Sequence, residues 1–320
     1  MNTTEKLYYT LSGFDEVYEN YESADKRKNS LGIKDRFPFG FVKKEEAEML
    51  SSGNWEKFFK ESCARYKTKA DAVVCVDGSW TTGTKNNPIS DCGYGICIFY
   101  KTGETYCESG KIVDGEIGNY TINRYDDEGN LIETAKETYE DIYNGEDVTD
   151  NRHGYALASH NVTGEIEAAM RAMDICVRQK KLKNIDLVFD CERVEKRYRQ
   201  IDDNIQSNVE LKYQKFLKQL HDSYEFDVDF KWAHSHNQED IAEKIYPILV
   251  YNDLVDILGK AEATSIKIKA TDVPNLTKAL PDCTFKGFYY EGANTPEKKR
   301  DYVRKLYKLI VERVSPIFVD

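Results

Sequence analysis

Apolar positions along the chain follow two periods, and the switches between them mark out the elements. Ala72-Val73-Val74-Cys75-Val76-Asp77-Gly78 is a run of small and β-branched residues closed by an acid and a glycine. It has the pattern of a buried strand that delivers a carboxylate to its end. Gly93–Tyr100 and Glu104–Val113 follow as two more strands separated by Lys101-Thr102-Gly103, which predicts an antiparallel meander with Asp77 on its first strand. The period then becomes helical. Ile166, Ala169, Met170, Met173 and Cys176 form one stripe, with Thr163 as the N-cap of a helix running to about residue 180. In that phase Glu165 points toward the sheet and Glu167 is rotated off it. Ile185-Asp186-Leu187-Val188-Phe189-Asp190 is a second apolar run ending on an acid, and a β-α-β crossover makes it parallel to a neighbour. If that neighbour is the first strand, Asp190 and Asp77 leave the same end of the sheet side by side. Helices from about 192 and over 209–221, a half-buried strand Phe226–Trp232 and a helix Asn252–Ala261 complete the unit.

Ahead of it, Leu7–Leu11 and Val17-Tyr18 read as short strands and Lys43–Leu50 as a helix, a small unit over 1–53. Ser51-Ser52-Gly53-Asn54 breaks the pattern, and an aromatic helix from Trp55 to Tyr66 bridges through 54–70 into the main domain, 71–262. A C-terminal extension, 263–320, follows. In it Thr295-Pro296-Glu297 starts a helix whose stripe of Tyr302, Val303, Leu306, Leu309, Ile310 and Val314 lies opposite Lys298, Lys299, Arg304, Lys305 and Lys308. The expected role of that stripe is docking on the protein's own core.

Charge changes the picture locally. The net charge of −11 argues against a protein that coats nucleic acid, although not against an enzyme that meets a polyanion through metal ions or a local basic patch. Residues 114–152 hold twelve acids against three bases, while 263–320 carries a net +4. The acidic stretch, with a hairpin at Tyr120–Tyr125 and Asn130-Leu131-Ile132, reads as a solvated excursion; the sharper hypothesis is that it guards a phosphate-binding groove or latches to the basic C-terminal helix. Eight cysteines without a CxxC pair, several inside apolar patterns, read as reduced core residues. With no apolar run of about 18 residues and no signal pattern at the N-terminus, the expectation is a cytoplasmic protein without membrane contact.

The order strand-Asp77-Gly78-Ser79, meander, Asn161-x-x-Gly164-Glu165 at a helix start, strand-Asp190, strand to His234-Ser235, then Asn252-x-x-Val255-Asp256-x-Leu258 resembles the type-one ribonucleases H. Tyr8, Tyr9, Val17, Tyr18, Tyr21, Phe41 and Ala47 match places in the viroplasmin-like, hybrid-binding module that precedes the bacterial branch of that family. The resemblance implies an α/β fold: a five-stranded mixed sheet in order 3-2-1-4-5 with helices on both faces, plus a small N-terminal α+β module. It implies a monomeric endoribonuclease that hydrolyses the RNA strand of RNA–DNA hybrids with two Mg²⁺ ions, Mn²⁺ being a substitute. Asp77, Glu165, Asp190 and Asp256 would be the metal-binding catalytic carboxylates, and His234 a mobile catalytic histidine. Gly78, Ser79 and Asn161 match positions that approach the minor groove, where 2′-hydroxyls distinguish RNA, and Tyr21 would stack on substrate.

The chemistry is suited to that set, because in-line hydrolysis of a phosphodiester needs a deprotonated water and a neutralised leaving oxygen, and hard oxygen ligands suit Mg²⁺. Each assignment has a rival: Glu167 for Glu165, Asp253 for Asp256, His236 for His234. Trp232 reads as a core or sheet-face residue. The basic phosphate grips of the family are replaced here, by Asp15-Glu16 and by a linker after Asp190 without its Trp/Lys-rich handle. That favours, as a second reading, a nucleic-acid- or protein-binding relative with weak or no nuclease activity. A related nuclease acting on DNA shares the same carboxylate logic.

Overall fold

A computed structural model of the chain describes residues 8–10, 16–31, 39–41, 44–52, 66–81, 91–113, 119–126, 128–138, 161–199, 208–233, 246–262, 268 and 295–320. The bridging helix expected over Trp55–Tyr66 lies largely outside them, as does His234.

The N-terminal unit consists of β1 (Tyr8–Thr10), β2 (Val17–Tyr18), α1 (Tyr21–Ser30), β3 (Phe39–Phe41) and α2 (Lys44–Ser51). Its three strands pair antiparallel in the order β2-β1-β3. The sequence pattern misses α1 because Tyr-Glu-Ser-Ala-Asp-Lys-Arg-Lys-Asn-Ser has no apolar stripe. The helix is held instead by Asn20, whose side chain accepts from the Ser23 N–H at 2.9 Å, and by a Lys26–Glu22 pair one turn apart.

After β4 (Lys67–Thr68) the main sheet is built from β5 (Ala72–Thr81), β6 (Asp91–Tyr100), β7 (Thr105–Val113), β8 (Asn119–Tyr125) and β9 (Leu131–Thr138). Next come α3 (Asn161–Met173), continued by a π-helical turn over Asp174–Gln179, β10 (Asn184–Phe189), α4 (Glu192–Tyr198), α5 (Asn208–Ser223), β11 (Asp227–Trp232) and α6 (Tyr246–Glu262). The strand order is β11-β10-β5-β6-β7-β8-β9, with β10 parallel to both β5 and β11 and every other pairing antiparallel.

The sheet therefore has seven strands where five were expected. The two extra strands, β8 and β9, come from within the acidic stretch, whose described part is not simply a solvated excursion. Ile122 packs in the core layer under α3 and α5 and Tyr125 in the layer under α6, on opposite faces of the sheet, so β8 completes the unpaired edge of β7 and contributes to both layers. Helix α3 also starts two residues before the expected Thr163 cap, and Thr163 is fully buried inside it.

One layer of core lies between the sheet and α3 and α5, centred on Val74, Ile96, Leu187, Met170 and Tyr213. The other lies beneath α6 and joins Cys75, Cys97, Val188, Leu254 and Leu258 to α7 (Pro296–Val314) through Tyr302, Val303, Leu306, Tyr307 and Ile310. Helix α7 is capped by Thr295, with Pro296 at its first position. Lys299, expected on its solvated face, is instead buried and donates to the Lys260 carbonyl at 3.2 Å. The hairpin turn at Gly129 (φ +76°) lies against α7 so closely that a Cβ there would stand 2.8 Å from the Arg304 Cα. Finally β12 (Ile317–Phe318) pairs with β4 in parallel. Of the described cysteines, 75, 92, 97, 107 and 176 are buried free thiols and Cys191 is half-buried.

Candidate metal centre

The site forms where β5 outlasts its parallel neighbour. Pairing of β5 with β10 ends at Cys75↔Val188, whereas its pairing with β6 continues to Thr81↔Asp91. Asp77 thus lies inside a ten-residue strand and not at its end as the sequence suggests; it marks the place where one side of that strand opens. Asp190 follows β10 directly, and continuing the parallel register by two positions sets it beside Asp77.

Glycines let two helices reach that opening from opposite faces. A Cβ on Gly78 would meet the Glu165 backbone nitrogen at 2.3 Å, so the first turn of α3 rests directly on β5 and aims Glu165 at the same corner. On the other face a Cβ on Gly95, the cross-strand partner of Asp77, would lie 2.2 Å from the Val255 carbonyl oxygen, so α6, with Asp256 next in its chain, passes as close. Asp77, Glu165 and Asp190 each offer a carboxylate oxygen, all within 4.8 Å of one another.

Buried carboxylates this close are strained electrostatically. Burial, then the Asp190 and Asp256 charges, push the Asp77 carboxyl well above its ordinary range, although the Gly78 N–H donates to it at 2.6 Å. Burial and then the Asp77 and Asp190 charges push Glu165 the same way. Glu165 Oε2 is buried and has no hydrogen-bond partner among the described residues. A buried acceptor left without a donor is costly, and a cation is what converging hard carboxylate oxygens with an unsatisfied one at Glu165 would satisfy. The residues present therefore fit a divalent metal ion.

Of the other candidates, Asp256 acts on Asp77 electrostatically but is not one of the three converging carboxylates; its side chain takes an ion pair from Lys260 one turn on. Its rival Asp253 is buried on the same helix. Glu167 is not merely turned away: it is buried in an ion pair with Lys212 of α5 at 2.7 Å. Gly78 is half-buried with the first turn of α3 resting on it, and Ser79 is buried beside Gly259 of α6. Asn161 opens α3. Tyr21 opens α1, with its ring edge-on to Tyr9 at 5.8 Å. Also in the N-terminal unit, Glu16 takes two hydrogen bonds from Arg27, at 2.9 and 3.1 Å, and so neutralises a basic side chain of that module.

Sequence reasoning missed Asn252 as a site residue in its own right, and of its two readings of Trp232, core or sheet face, the structure gives the second. Asn252 is buried one turn before Asp256. Its Nδ2 lies 3.5 Å from Asp190 Oδ2, and its Oδ1 has no partner among the described residues. Its position four residues from an acid on one helix was the available signal. Trp232 is 43% exposed, and its indole N–H donates to the Asp190 carbonyl at 3.2 Å. Among the described residues no helix is long and apolar enough to cross a membrane.

No protein-family model matches the chain, and no curated protein matches it. Solved structures with a similar arrangement include RNase H1 from the halophilic archaeon Halobacterium salinarum NRC-1, 13% identical over 53% of this chain and 91% of that one, with a TM-score of 0.27. Another is the protease-reverse transcriptase of prototype foamy virus, 12% identical over 61% of this chain and 21% of that one, TM-score 0.32. A third is the N-terminal RNase H domain of a Mycobacterium tuberculosis protein fused to maltose-binding protein, 12% identical over 50% and 86%, TM-score 0.26.

Proposed function

We propose that this protein is a divalent-metal-dependent ribonuclease H that hydrolyses the RNA strand of RNA–DNA hybrids and leaves 5′-phosphate and 3′-hydroxyl ends. The observation that carries the reading is the meeting of Asp77, Glu165 and Asp190 at one corner of the sheet, with a buried Glu165 oxygen that lacks a partner. The order of motifs along the chain supports the choice of substrate.

Asp77, Glu165, Asp190 and Asp256 would hold two Mg²⁺ ions, or Mn²⁺ in their place. Such ions, when bound, activate the attacking water and neutralise the charge that develops on the departing 3′-oxygen. The chain's own residues do the positioning. The Gly78 N–H fixes one oxygen of Asp77, the α3 backbone seated on Gly78 fixes Glu165, and Asn252 steadies Asp190. Release of Asp256 from Lys260 would bring in the fourth carboxylate. His234, with a reference pKa near neutrality, would pass a proton to the 3′-oxygen as the P–O3′ bond breaks. The backbone at Gly78, Ser79 and Asn161 would lie along the minor groove, and Tyr21 would stack on the hybrid.

The test is incubation of an end-labelled RNA–DNA hybrid with the full-length protein and Mg²⁺, beside an Asp190→Asn control. Cleavage confined to the RNA strand and lost in the control is expected. An intact RNA strand, or equal cutting by the control, would overturn the reading. The second reading, a binding relative with weak or no turnover, is favoured by the Lys260 ion pair that occupies Asp256 and by the Glu16–Arg27 pair in the N-terminal unit. It predicts hybrid binding without cleavage in the same experiment.

A further inference from the structure

We infer that Trp232 is a substrate-contacting residue: its indole forms the wall against which a nucleotide next to the reacting phosphate stacks. The inference rests on the proposed nuclease reading and adds a specific contact to it. Trp232 closes β11, in direct register with Phe189, the residue before Asp190. On the same face of β11, Phe230 is covered: Phe189 meets it edge-on at 5.6 Å, Tyr198 at 4.9 Å, and the Arg199 guanidinium lies over it at 5.2 Å. Trp232, one step further along that face, keeps 43% of its surface exposed.

An exposed tryptophan held only by apolar contact would have no fixed plane, but this one is tethered. The indole N–H donates to the backbone carbonyl of Asp190, so the residue whose carboxylate belongs to the metal centre also orients the ring. A rigid aromatic plane beside a phosphodiester-cutting centre suits a nucleotide, because every base presents a π face and stacking needs no sequence. The contact also answers a shortage. A chain with a net charge of −11 has little general attraction for a polyanion, and stacking supplies affinity that does not depend on neutralising phosphates.

The experiment uses full-length protein in Ca²⁺ with a short RNA–DNA hybrid, followed by tryptophan emission and by direct titration of a labelled hybrid. Three tryptophans are present, so Trp232→Phe serves as the silent variant that keeps an aromatic ring. The wild type should change emission on binding. Trp232→Phe should lose most of that change yet bind within about threefold, and Trp232→Ala should bind on the order of tenfold more weakly. Under Mg²⁺ the alanine variant should raise KM by a similar factor with kcat much less affected.

Emission unmoved by a hybrid that demonstrably binds would overturn the inference. So would equal affinity of the alanine variant, or a fall in its kcat and melting temperature with KM unchanged, which is the signature of a structural role. If Trp232→Ala does not fold, the comparison of wild type with Trp232→Phe still decides. Emission that responds without any cleavage would remove the nuclease reading and leave the stacking contact standing. Cleavage without an emission response would do the reverse.

Discussion

Two groups of buried acids among the described residues sit in opposite surroundings, one bridging elements of the scaffold and one at the candidate site. Glu108, in the middle of β7 and fully buried, is met by the Arg171 guanidinium through two hydrogen bonds of 2.9 and 3.0 Å. It also accepts hydrogen bonds from the Tyr94 and Tyr106 hydroxyls, and Arg124 lies 3.8 Å away. Glu210 is buried against Arg197 at 2.8 Å with Arg193 at 3.4 Å, and Glu167 against Lys212. Each joins a helix to a strand or to a second helix, and each comes with its cation. At the corner of Asp77 and Glu165, by contrast, carboxylates meet carboxylates and a buried oxygen has no donor. An arginine or lysine answers each of these three bridging acids; at the Asp77–Glu165 corner the proposed metal ion would fill that role.

The largest expected effect attacks the metal corner. Asp77→Asn should reduce hybrid cleavage by about a thousandfold or more, since transition-state charge stabilisation by bound metal is worth several kcal/mol. In metal-free buffer the same variant should melt no lower than wild type, because it removes one of the charges that repel. A lower melting temperature in EDTA would place Asp77 among the scaffold acids.

Next comes the converse. Arg171→Met strands Glu108 without its main partner and should destabilise the protein by about 3–5 kcal/mol. Adding Glu108→Gln should recover much of this in a double-mutant cycle followed by denaturant unfolding. Full additivity of the two changes would show that the pair is not coupled.

Smaller, about 1–3 kcal/mol, is the cost of Gly78→Ala, whose methyl group collides with the α3 backbone. Because that helix carries Glu165, cleavage should fall by more than the loss of stability explains. Unfolding and single-turnover assays on the same preparation separate the two.

The gentlest test is pH. Asp77 and Glu165 have folded-state pKa values raised above their unfolded ones, so the folded protein binds more protons. Their contribution to stability is fully present below about pH 4 and lost as pH rises through the raised values. In EDTA, the drop in melting temperature from pH 5 to pH 8 should therefore be steeper in wild type than in a Glu165→Gln variant, and divalent metal should flatten it. Identical slopes would break the comparison.

Much of this corner was legible from residues alone. Apolar runs closing on Asp77 and Asp190, and a helical phase that turns Glu165 inward, need only local pattern, and the crossover rule brings the two strands together. The acidic hairpin was harder, because composition pointed to solvent while its burial comes from pairing with a free edge of β7, which places Ile122 and Tyr125 in the two core layers on opposite faces of the sheet. The pairing of Glu108 with Arg171 spans 63 positions and has no sequence signature. Lys299 followed the rule that lysines face out until a carbonyl on a neighbouring helix gave it somewhere to donate. Trp232 has the residue type of a core position, and its place at the end of its strand leaves it 43% exposed.

The pairing of β12 with β4 has a consequence for how the chain is made. Lys67 and its partner Ile317 lie roughly 250 positions apart, so the ribosome must translate nearly everything between them before that ladder closes. During that interval β4 lacks the partner of its two-stranded sheet, and α7 is still missing from the apolar surface of α6. Chaperone demand should rise in that window, while the apolar surface of α6 is still uncovered.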